Sequence, residues 1–531
     1  MFVRVLGSVF AGILLFFSGL SLAFADMGDR RAEAVTLADI DPGRDTVLID
    51  SDFPVSAITV RLPRHIQPHS ALLTIAARPT DGERGELRLR VNGRDIDRDG
   101  LPGEPETRFQ IDGDILQPGE NEFELRVDTA SDAGVWLVDG RRSQIRLDYS
   151  VAGAIETLDG IDLALSADFA RLERIHIANS EQYPTLEVLS AQAVALRSGN
   201  VPIFAAADEA HDLAVSFDLA AIDGVTGPEI RLIPGARPEL VITGRDAGET
   251  IAAARLFAAR SFAGVGSVFD VAAALDAPQL GSGRAGMAAE PTDLSLFARH
   301  TAPFGAQAGA RTAVVLAGLD GETRTAAYSI LSRMALASDA AWIYAWYGPT
   351  AAAAPEGRHL LVIGPDAARD RDLMDAAPPE LRAALRAAAQ SGPSRPGLRF
   401  AAAAYADAGT GSGAPYGVAA IFADSRDGSR LIATFTAGEG AAFSQAAQSL
   451  TRSNLWDALE GRAAIWSPRG VTPFDFDTAG AGSLSIMDRL TGLELHPREA
   501  AVLLFSLALL FMLRGIWHRQ RRIHSASKDL R

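Results

Sequence analysis

The hydrophobic period of the chain changes near Ser150, and this change limits the folds that the sequence can adopt. Between Ser56 and Ser150, apolar residues alternate with charged ones, as in GELRLRV and NEFELRV. An apolar residue at every second position is the pattern of a strand in a sheet with one solvent-exposed face. Several such segments, separated by turn dipeptides such as Asn92-Gly93, predict a β-sandwich or jelly roll over residues 45–152.

After Ser150, short apolar strands alternate with amphipathic helices, which predicts α/β domains with parallel sheets. The first covers residues 153–275 and the second covers residues 295–473, with a linker rich in Gly and Ala at 276–294. The predicted fold class is therefore mixed β and α/β, with one sandwich followed by two α/β domains.

Both ends of the chain carry apolar segments. Residues 1–25 fit a signal peptide cleaved after Ala25, although an uncleaved N-terminal anchor is an alternative. Residues 499–517 are predicted to form a single C-terminal transmembrane helix, in which Arg514 extends toward the headgroups and Trp517 lies at the interface. A buried core helix is the alternative. The basic tail at 518–531 places the C-terminus in the cytoplasm.

Before this segment, residues 483–497 place apolar side chains, including Leu490 and Leu493, mainly on one side of a helix. Such a helix can lie along a membrane surface, or it can pack on its own domain. Together the ends predict a single-pass protein of the inner membrane, with its bulk in the periplasm.

Composition and motifs exclude several classes of function. The chain has no cysteine, a net charge of −16 and one lysine, Lys528, so a nucleic-acid partner is not expected. GxxxxGK, GxSxG and HExxH are all absent, and the one GxGxxG, at 281–286, lies in the linker rich in Gly and Ala rather than between a strand and a helix. We therefore expect no cofactor, no catalytic residue and no enzyme activity. The alternative is an enzyme whose catalytic triad consists of residues that are distant in the sequence and come together only in the folded protein.

One acidic segment has the spacing of a calcium loop. Asp95, Asp97 and Asp99 precede Gly100, and Glu106 stands at the twelfth position. Carboxylates at this spacing converge on one cation when the chain wraps around it. Pro102 and the flanking strands favour the alternative, an acidic hairpin solvated by water.

Two aromatic residues of the β domain are candidates for sugar binding. Trp136 and Tyr149 could stack on sugar rings, because aromatic faces bind the apolar faces of sugars. The alternative is that both rings belong to the core, which is the more common place for an isolated aromatic residue in a strand.

The order of these segments, together with three stretches of sequence, resembles the BcsB family. The stretches are Leu87–Gly93, Pro118–Phe123 and Leu455–Trp466. This family is the periplasmic, membrane-anchored subunit of bacterial cellulose synthase, and it is also labelled cyclic di-GMP-binding. We do not assign that ligand, because only the tail of this chain is predicted to be cytoplasmic.

The resemblance implies a non-catalytic accessory subunit. Jelly rolls like carbohydrate-binding domains would accompany flavodoxin-like domains that bind no flavin. The C-terminal segment, with Leu490, Leu493, Arg514 and Trp517, would dock on a membrane glycosyltransferase, and the ectodomain would guide the nascent polysaccharide. The chain is shorter than typical members, so the polymer is cellulose or a related exopolysaccharide. A periplasmic polysaccharide-modifying enzyme and an adhesion or sensory ectodomain are the alternatives.

Overall fold

A computed structural model describes the chain between Arg30 and Phe476, with gaps. The described residues are 30–43, 45–49, 55–80, 85–99, 106–129, 135–180, 182–219, 227–235, 237–270, 293–389, 416–424, 426, 430–474 and 476. The predicted signal peptide, interface helix, transmembrane helix and tail lie outside these ranges, as do Leu490, Leu493, Arg514, Trp517 and residues 276–292 of the linker. Within the described ranges, no helix has the length and apolarity needed to cross a membrane.

The N-terminal domain is a sandwich of two antiparallel sheets. Its elements are β1 (Arg30–Thr36), α1 (Leu37–Ile40), β2 (Thr46–Ile49), β3 (Val55–Leu62), β4 (Ile66–Pro79), β5 (Gly85–Val91), β6 (Arg94–Ile96), β7 (Arg98–Asp99), β8 (Glu106–Asp112), β9 (Gly119–Thr129), β10 (Trp136–Asp139) and β11 (Gln144–Val151). One sheet has the order β1-β11-β4-β10-β2, with β8 also paired to β4 and β7 to β8, and the other has the order β3-β9-β5-β6.

The predicted alternation produces the core between these sheets. In β3, every second side chain is buried. The neighbouring strand β9 supplies Leu125 to the same core, and the facing sheet supplies residues such as Leu73 and Phe109. The sandwich begins at Arg30, earlier than the predicted residue 45, because β1 pairs with β11 along its whole length. The sequence of β1, RRAEAVT, does not alternate clearly between apolar and polar residues, so the hydrophobic pattern did not predict this strand.

The first α/β domain follows directly. Its elements are α2 (Leu158–Ser166), β12 (Arg174–Ile177), α3 (Pro184–Ser198), β13 (Ile203–Ala205), β14 (Leu213–Asp218), β15 (Glu229–Ile233), β16 (Glu239–Thr243), α4 (Ala247–Ala259) and β17 (Val268–Asp270). The sheet order is β13-β12-β14-β16-β15-β17.

The second α/β domain contains more helices. Its elements are α5 (Leu294–His300), α6 (Ala306–Gly309), β18 (Thr312–Leu316), α7 (Gly321–Ser338), β19 (Trp346–Gly348), β20 (His359–Ile363), α8 (Arg371–Ala376), α9 (Pro379–Ala389), β21 (Gly417–Ala423), β22 (Leu431–Ala437), α10 (Ala441–Leu450), α11 (Ser453–Trp456), β23 (Ala463–Ser467) and β24 (Gly470–Phe474). The sheet order is β19-β18-β20-β22-β21-β23-β24.

The two α/β domains repeat one topology. In each, the first, second, third and fifth strands are parallel, and the fourth and fifth form an antiparallel pair. The prediction of parallel sheets is therefore wrong for β15 and β21. The connection from Ile233 to Glu239 is too short for a parallel crossover, which fixes the antiparallel direction of β15.

The repeats pack through their first crossover helices, α3 and α7. Ser332 Oγ donates to the Ala191 carbonyl at 3.1 Å, and Tyr328 and Arg324, about one and two turns earlier, contact Glu187. The contacts advance in the same direction along both helices, so the helices run parallel. Each helix also contacts the second strand of the other repeat, so the packing is reciprocal.

Phe169 joins the sandwich to the first α/β domain. It follows α2 in the chain, yet its fully buried ring belongs to the core of the sandwich. Hydrogen bonds from backbone N–H groups to carboxylates hold the same segment in place. The Arg61 N–H donates to Asp168 Oδ2 at 2.7 Å, and the Ala170 N–H donates to Glu33 Oε2 at 2.8 Å.

His359 makes the stability of the second α/β domain dependent on pH. Its Nδ1 accepts the Leu431 N–H at 3.1 Å. Burial, and then the charges of Arg311 and Arg430, lower its pKa below the usual value. Below about pH 6.5 the unfolded chain binds a proton that the folded state resists, so stability falls as the pH falls.

We expect His359→Gln to reduce the loss of unfolding free energy between pH 7.5 and pH 5.5. The reduction is at most about 1.4 kcal/mol for each pH unit below the unfolded pKa. Urea unfolding at both pH values measures it. An unchanged pH dependence in the variant would contradict the assignment.

Candidate functional site

The switch point of the second α/β sheet, between β18 and β20, is filled by the chain itself. In open α/β sheets, ligands bind outside the carboxyl ends of the strands at this position. Here the Ala317 N–H donates to the Ile363 carbonyl at 2.8 Å, and a Cβ added to Gly364 would lie 2.1 Å from the Ala317 oxygen. A Cβ on Gly318 would lie 2.4 Å from the Asp366 carboxylate. The two loops are in direct contact where a cofactor would sit.

The groups around this switch point are acidic. Asp320 caps α7 by accepting the Thr323 N–H at 3.1 Å, and bonds from the Thr323 hydroxyl and N–H lower the pKa of its carboxyl. Two further carboxylates, those of Asp366 and Glu439, lie close by and are bridged by Arg369. Its Nη1 is 2.5 Å from Asp366 Oδ1, and its Nη2 binds Glu439. Carboxylates at the helix N-terminus oppose the binding of a phosphate, which this position otherwise favours.

In the first α/β domain, Glu187 lies near the corresponding helix N-terminus. Its carboxylate stands in the first turn of α3, is 1% exposed, and accepts the Ser180 N–H from the loop after β12. An anion bound beside this helix N-terminus could use the same loop N–H. The chain's own carboxylate therefore already takes one donor of the loop after β12.

Residues of the second repeat complete the surroundings of Glu187. Arg324 Nη1 lies 3.1 Å from both carboxylate oxygens and also donates to Asn179 Oδ1, and the Tyr328 hydroxyl donates to Glu187 Oε2. Burial and the adjacent Glu187 charge raise the pKa of Tyr328 well above its usual value. We call Glu187, Arg324, Tyr328 and Asn179 the interdomain cluster. Its polar groups satisfy one another across the two repeats.

The aromatic residues predicted to bind sugar lie on the core side of their strands. Tyr149 is 5% exposed and belongs to the sandwich core, and its hydroxyl lies 3.4 Å from Glu33 Oε2. This ring has no free face for a sugar. Trp136 is partly buried against the same core, and its buried indole N–H meets no acceptor among the described residues. Both placements match the core alternative.

The residues of the predicted calcium loop lie on an extended segment. Asp95 is in β6, which pairs with β5, whereas Asp99 is in β7, which pairs with β8 in the other sheet. Arg90 Nε already binds Asp95 Oδ1 at 2.9 Å, Asp97 is exposed, and Glu106 begins β8. Across the described ranges, which omit residues 100–105, no group of three or more His, Asp or Glu side chains could hold a metal ion. Calcium binding stays a prediction.

The outer face of the β3-β9-β5-β6 sheet is a ladder of paired charges. Asp95, Arg90 and Glu124 stand side by side on β6, β5 and β9, and Arg61 Nε binds Glu120 Oε1 at 3.3 Å. Within each of these exposed pairs, the two charged groups bind each other.

The outer face of the other sheet has a different shape, because short side chains on β4 lie between long ones on β8 and β11. Three cross-strand rows form it, Asp112–Ser70–Asp148, Gln110–Leu72–Arg146 and Arg108–Thr74–Gln144. Ser70 and Leu72 are half-buried and Thr74 is 8% exposed, whereas most of the flanking residues are exposed. We call these nine residues the β4 groove. Sequence reasoning missed it, although RFQID and QIRLD carry its polar period.

The sequences that carry the family resemblance have structural roles. Asn92 Nδ2 donates to Asn121 Oδ1 at 2.9 Å, so the first two stretches meet in one hydrogen-bonded turn network. In the third stretch, Trp456 Nε1 donates to the Ala298 carbonyl at 2.8 Å, and its ring stacks on Phe435 with the centroids 5.9 Å apart. Trp466 is also fully buried.

Comparisons with known proteins give little further information. No family model matches the chain, and no curated protein matches it. Among the solved structures, it is similar to a GH26-CBM35 β-(1,4)-mannanase from Podospora anserina, with 13% identity and a TM-score of 0.16 over 35% of this chain and 42% of that one. It is also similar to a family two carbohydrate esterase from Cellvibrio japonicus, with 10% identity and a TM-score of 0.11 over 35% of this chain and 67% of that one. At these TM-scores, neither likeness carries an argument.

Proposed function

We propose that this protein is a non-catalytic, membrane-anchored accessory subunit of a cellulose or related exopolysaccharide synthase. Its C-terminal segment docks on the glycosyltransferase, and its ectodomain guides the emerging glycan on the periplasmic side. In this proposal, the sandwich is a jelly-roll-like carbohydrate-binding domain and the two repeats are flavodoxin-like domains without flavin.

The observation that carries the proposal is that groups of the chain itself are already engaged near the switch points of both α/β domains. In the first repeat, the buried Glu187 carboxylate accepts an N–H of the loop after β12, and in the second, the loops at Gly318 and Gly364 are in direct contact. Nucleotide and flavin chemistry would need these positions. The interdomain cluster then joins the repeats as a scaffold, which suits a binding subunit better than an enzyme.

Reconstitution of the protein in membranes with the glycosyltransferase that it is proposed to bind tests the proposal. We expect deletion of residues 483–531 to abolish polymer synthesis, because the deletion removes the predicted docking helix. A matched control replaces 499–517 with an unrelated single-pass helix, which restores the anchor without the contact and should leave synthesis low. Arg514→Leu should weaken co-purification, because a charge within a membrane segment often binds a partner.

Full synthesis by the deleted chain would overturn the proposal. Release of reducing ends or acetate from a polysaccharide by the purified protein would favour a polysaccharide-modifying enzyme instead. Failure to co-purify with any glycosyltransferase would favour an adhesion or sensory ectodomain.

A further inference from the structure

The geometry points to the β4 groove as the binding surface for one segment of an uncharged polysaccharide chain. This inference rests on the proposed function and names the face of the ectodomain that meets the polymer. The shape of the groove, its balance of charge and its internal contacts each support it.

The shape suits an extended polymer. From Ser70 to Thr74, the floor is about 14 Å long at the rise of a β-strand. The long side chains of β8 and β11 stand on either side of this floor, because residues opposite each other in the register share one face. A linear chain of sugar rings can lie along β4 between the two rows, with Leu72 under an apolar ring face.

The charge of the groove favours a neutral ligand. Arg108 and Arg146 supply two positive charges, and Asp112 and Asp148 supply two negative ones. The chain as a whole carries −16, which opposes a polyanion. The same net charge attracts a polycation to the whole surface, whereas the balanced groove adds no specific attraction for it. Guanidinium, carboxylate and amide groups at both walls can donate to and accept from sugar hydroxyls.

Some of these groups are already held in place. Asp148 Oδ2 accepts from Ser70 Oγ at 3.4 Å, and Arg146 Nε lies 3.6 Å from Asp148 Oδ1. Each of these side chains keeps further donors or acceptors for a ligand. A groove ordered before binding loses less side-chain entropy when the ligand binds.

Binding of the full chain, in detergent micelles, to cellohexaose tests the inference. We expect Arg146→Ala and Gln110→Ala each to weaken binding by roughly tenfold, since each removes hydrogen bonds at one wall. Leu72→Arg, which blocks the floor without removing a wall group, should weaken binding similarly. Polygalacturonate should bind more weakly than cellohexaose, because it carries negative charge.

Arg61→Ala and Thr59→Ala are the matched controls, because both residues are exposed on the outer face of the other sheet. Circular dichroism establishes that every variant is folded. The inference is overturned if the groove variants bind as well as the unmodified chain, if the controls lose affinity to the same extent, or if cellohexaose does not bind.

The same variants separate this inference from the proposed function. If the groove variants lose affinity while the chain lacking 483–531 still supports synthesis, the accessory role fails and the groove stands. If the deletion abolishes synthesis and the groove variants bind normally, the groove fails and the accessory role stands.

Discussion

Glu187→Ala is expected to lower the free energy of unfolding by up to about 3–5 kcal/mol, because it removes the buried member of an ion pair whose arginine is 22% exposed. The substitution leaves the Arg324 guanidinium without its carboxylate, and it leaves the Ser180 N–H and the Tyr328 hydroxyl without an acceptor. Urea unfolding followed by tryptophan fluorescence measures the effect, and Trp342 is one of the six tryptophans that contribute to the signal. This residue reports on the interface, since its backbone N–H donates to Gln192 Oε1 at 2.9 Å.

Two further variants separate charge from packing. Glu187→Gln keeps an acceptor for Ser180 and Tyr328 and should cost about 1.5–3 kcal/mol. The double variant Glu187→Leu with Arg324→Met should recover most of the loss, because it removes both charges. Arg141→Ala breaks an exposed pair with Asp45 and should cost under about 1 kcal/mol. If Glu187→Ala cost no more than Arg141→Ala, the interdomain cluster would have no stabilising role.

Phe169→Ala is expected to cost about 3–5 kcal/mol and to separate the sandwich from the α/β domains during unfolding. Its ring fills a site in the core of the sandwich, although its backbone belongs to the segment that follows α2. The cavity should therefore loosen the domain junction as well as the core. Hydrogen exchange followed by mass spectrometry should show faster exchange in β4, β11 and residues 167–172, with β18 unchanged.

Phe169→Leu should cost under about 1.5 kcal/mol, because a second apolar side chain fills most of the site. Phe257→Ala is a control of equal size, since Phe257 is also fully buried but lies in the core of the α/β domains. That variant should raise exchange in the first repeat. Faster exchange in β4 from Phe257→Ala, or none from Phe169→Ala, would show that the junction does not depend on this ring.

Local patterns predicted the strands well where the chain itself supplies the boundaries. β16 spans Glu239–Thr243, an apolar run enclosed by Pro238 and Gly244. The apolar run at 341–347 has the composition of a strand, yet only Trp346–Gly348 forms one, β19, whereas Ala341, Trp342 and Ala345 are buried outside any strand. Buried strands and buried turns are both rich in apolar residues, so the hydrophobic pattern alone does not distinguish a strand from a turn.

The sites depend on contacts that no local pattern contains. Glu187 reads as an ordinary acidic residue of a first helical turn, and its partner Arg324 is 137 residues away. The β4 groove needs β8, β4 and β11 side by side, yet β9 and β10 come between β8 and β11 in the chain. The alternation of polar residues predicts that one face of each strand is exposed to solvent. It does not predict which strands lie beside each other.

The repeated α/β domains resemble a symmetric dimer enclosed in one chain. Glu187 is the fourth residue of α3 and Arg324 is the fourth residue of α7, so the ion pair joins equivalent positions of the two repeats. Two identical subunits related by a two-fold axis would present the same residue at both positions, and like charges would repel there. Because one gene encodes both halves, each position could change by itself. Covalent linkage thus permits an acid-base pair that two identical subunits could not form at this place.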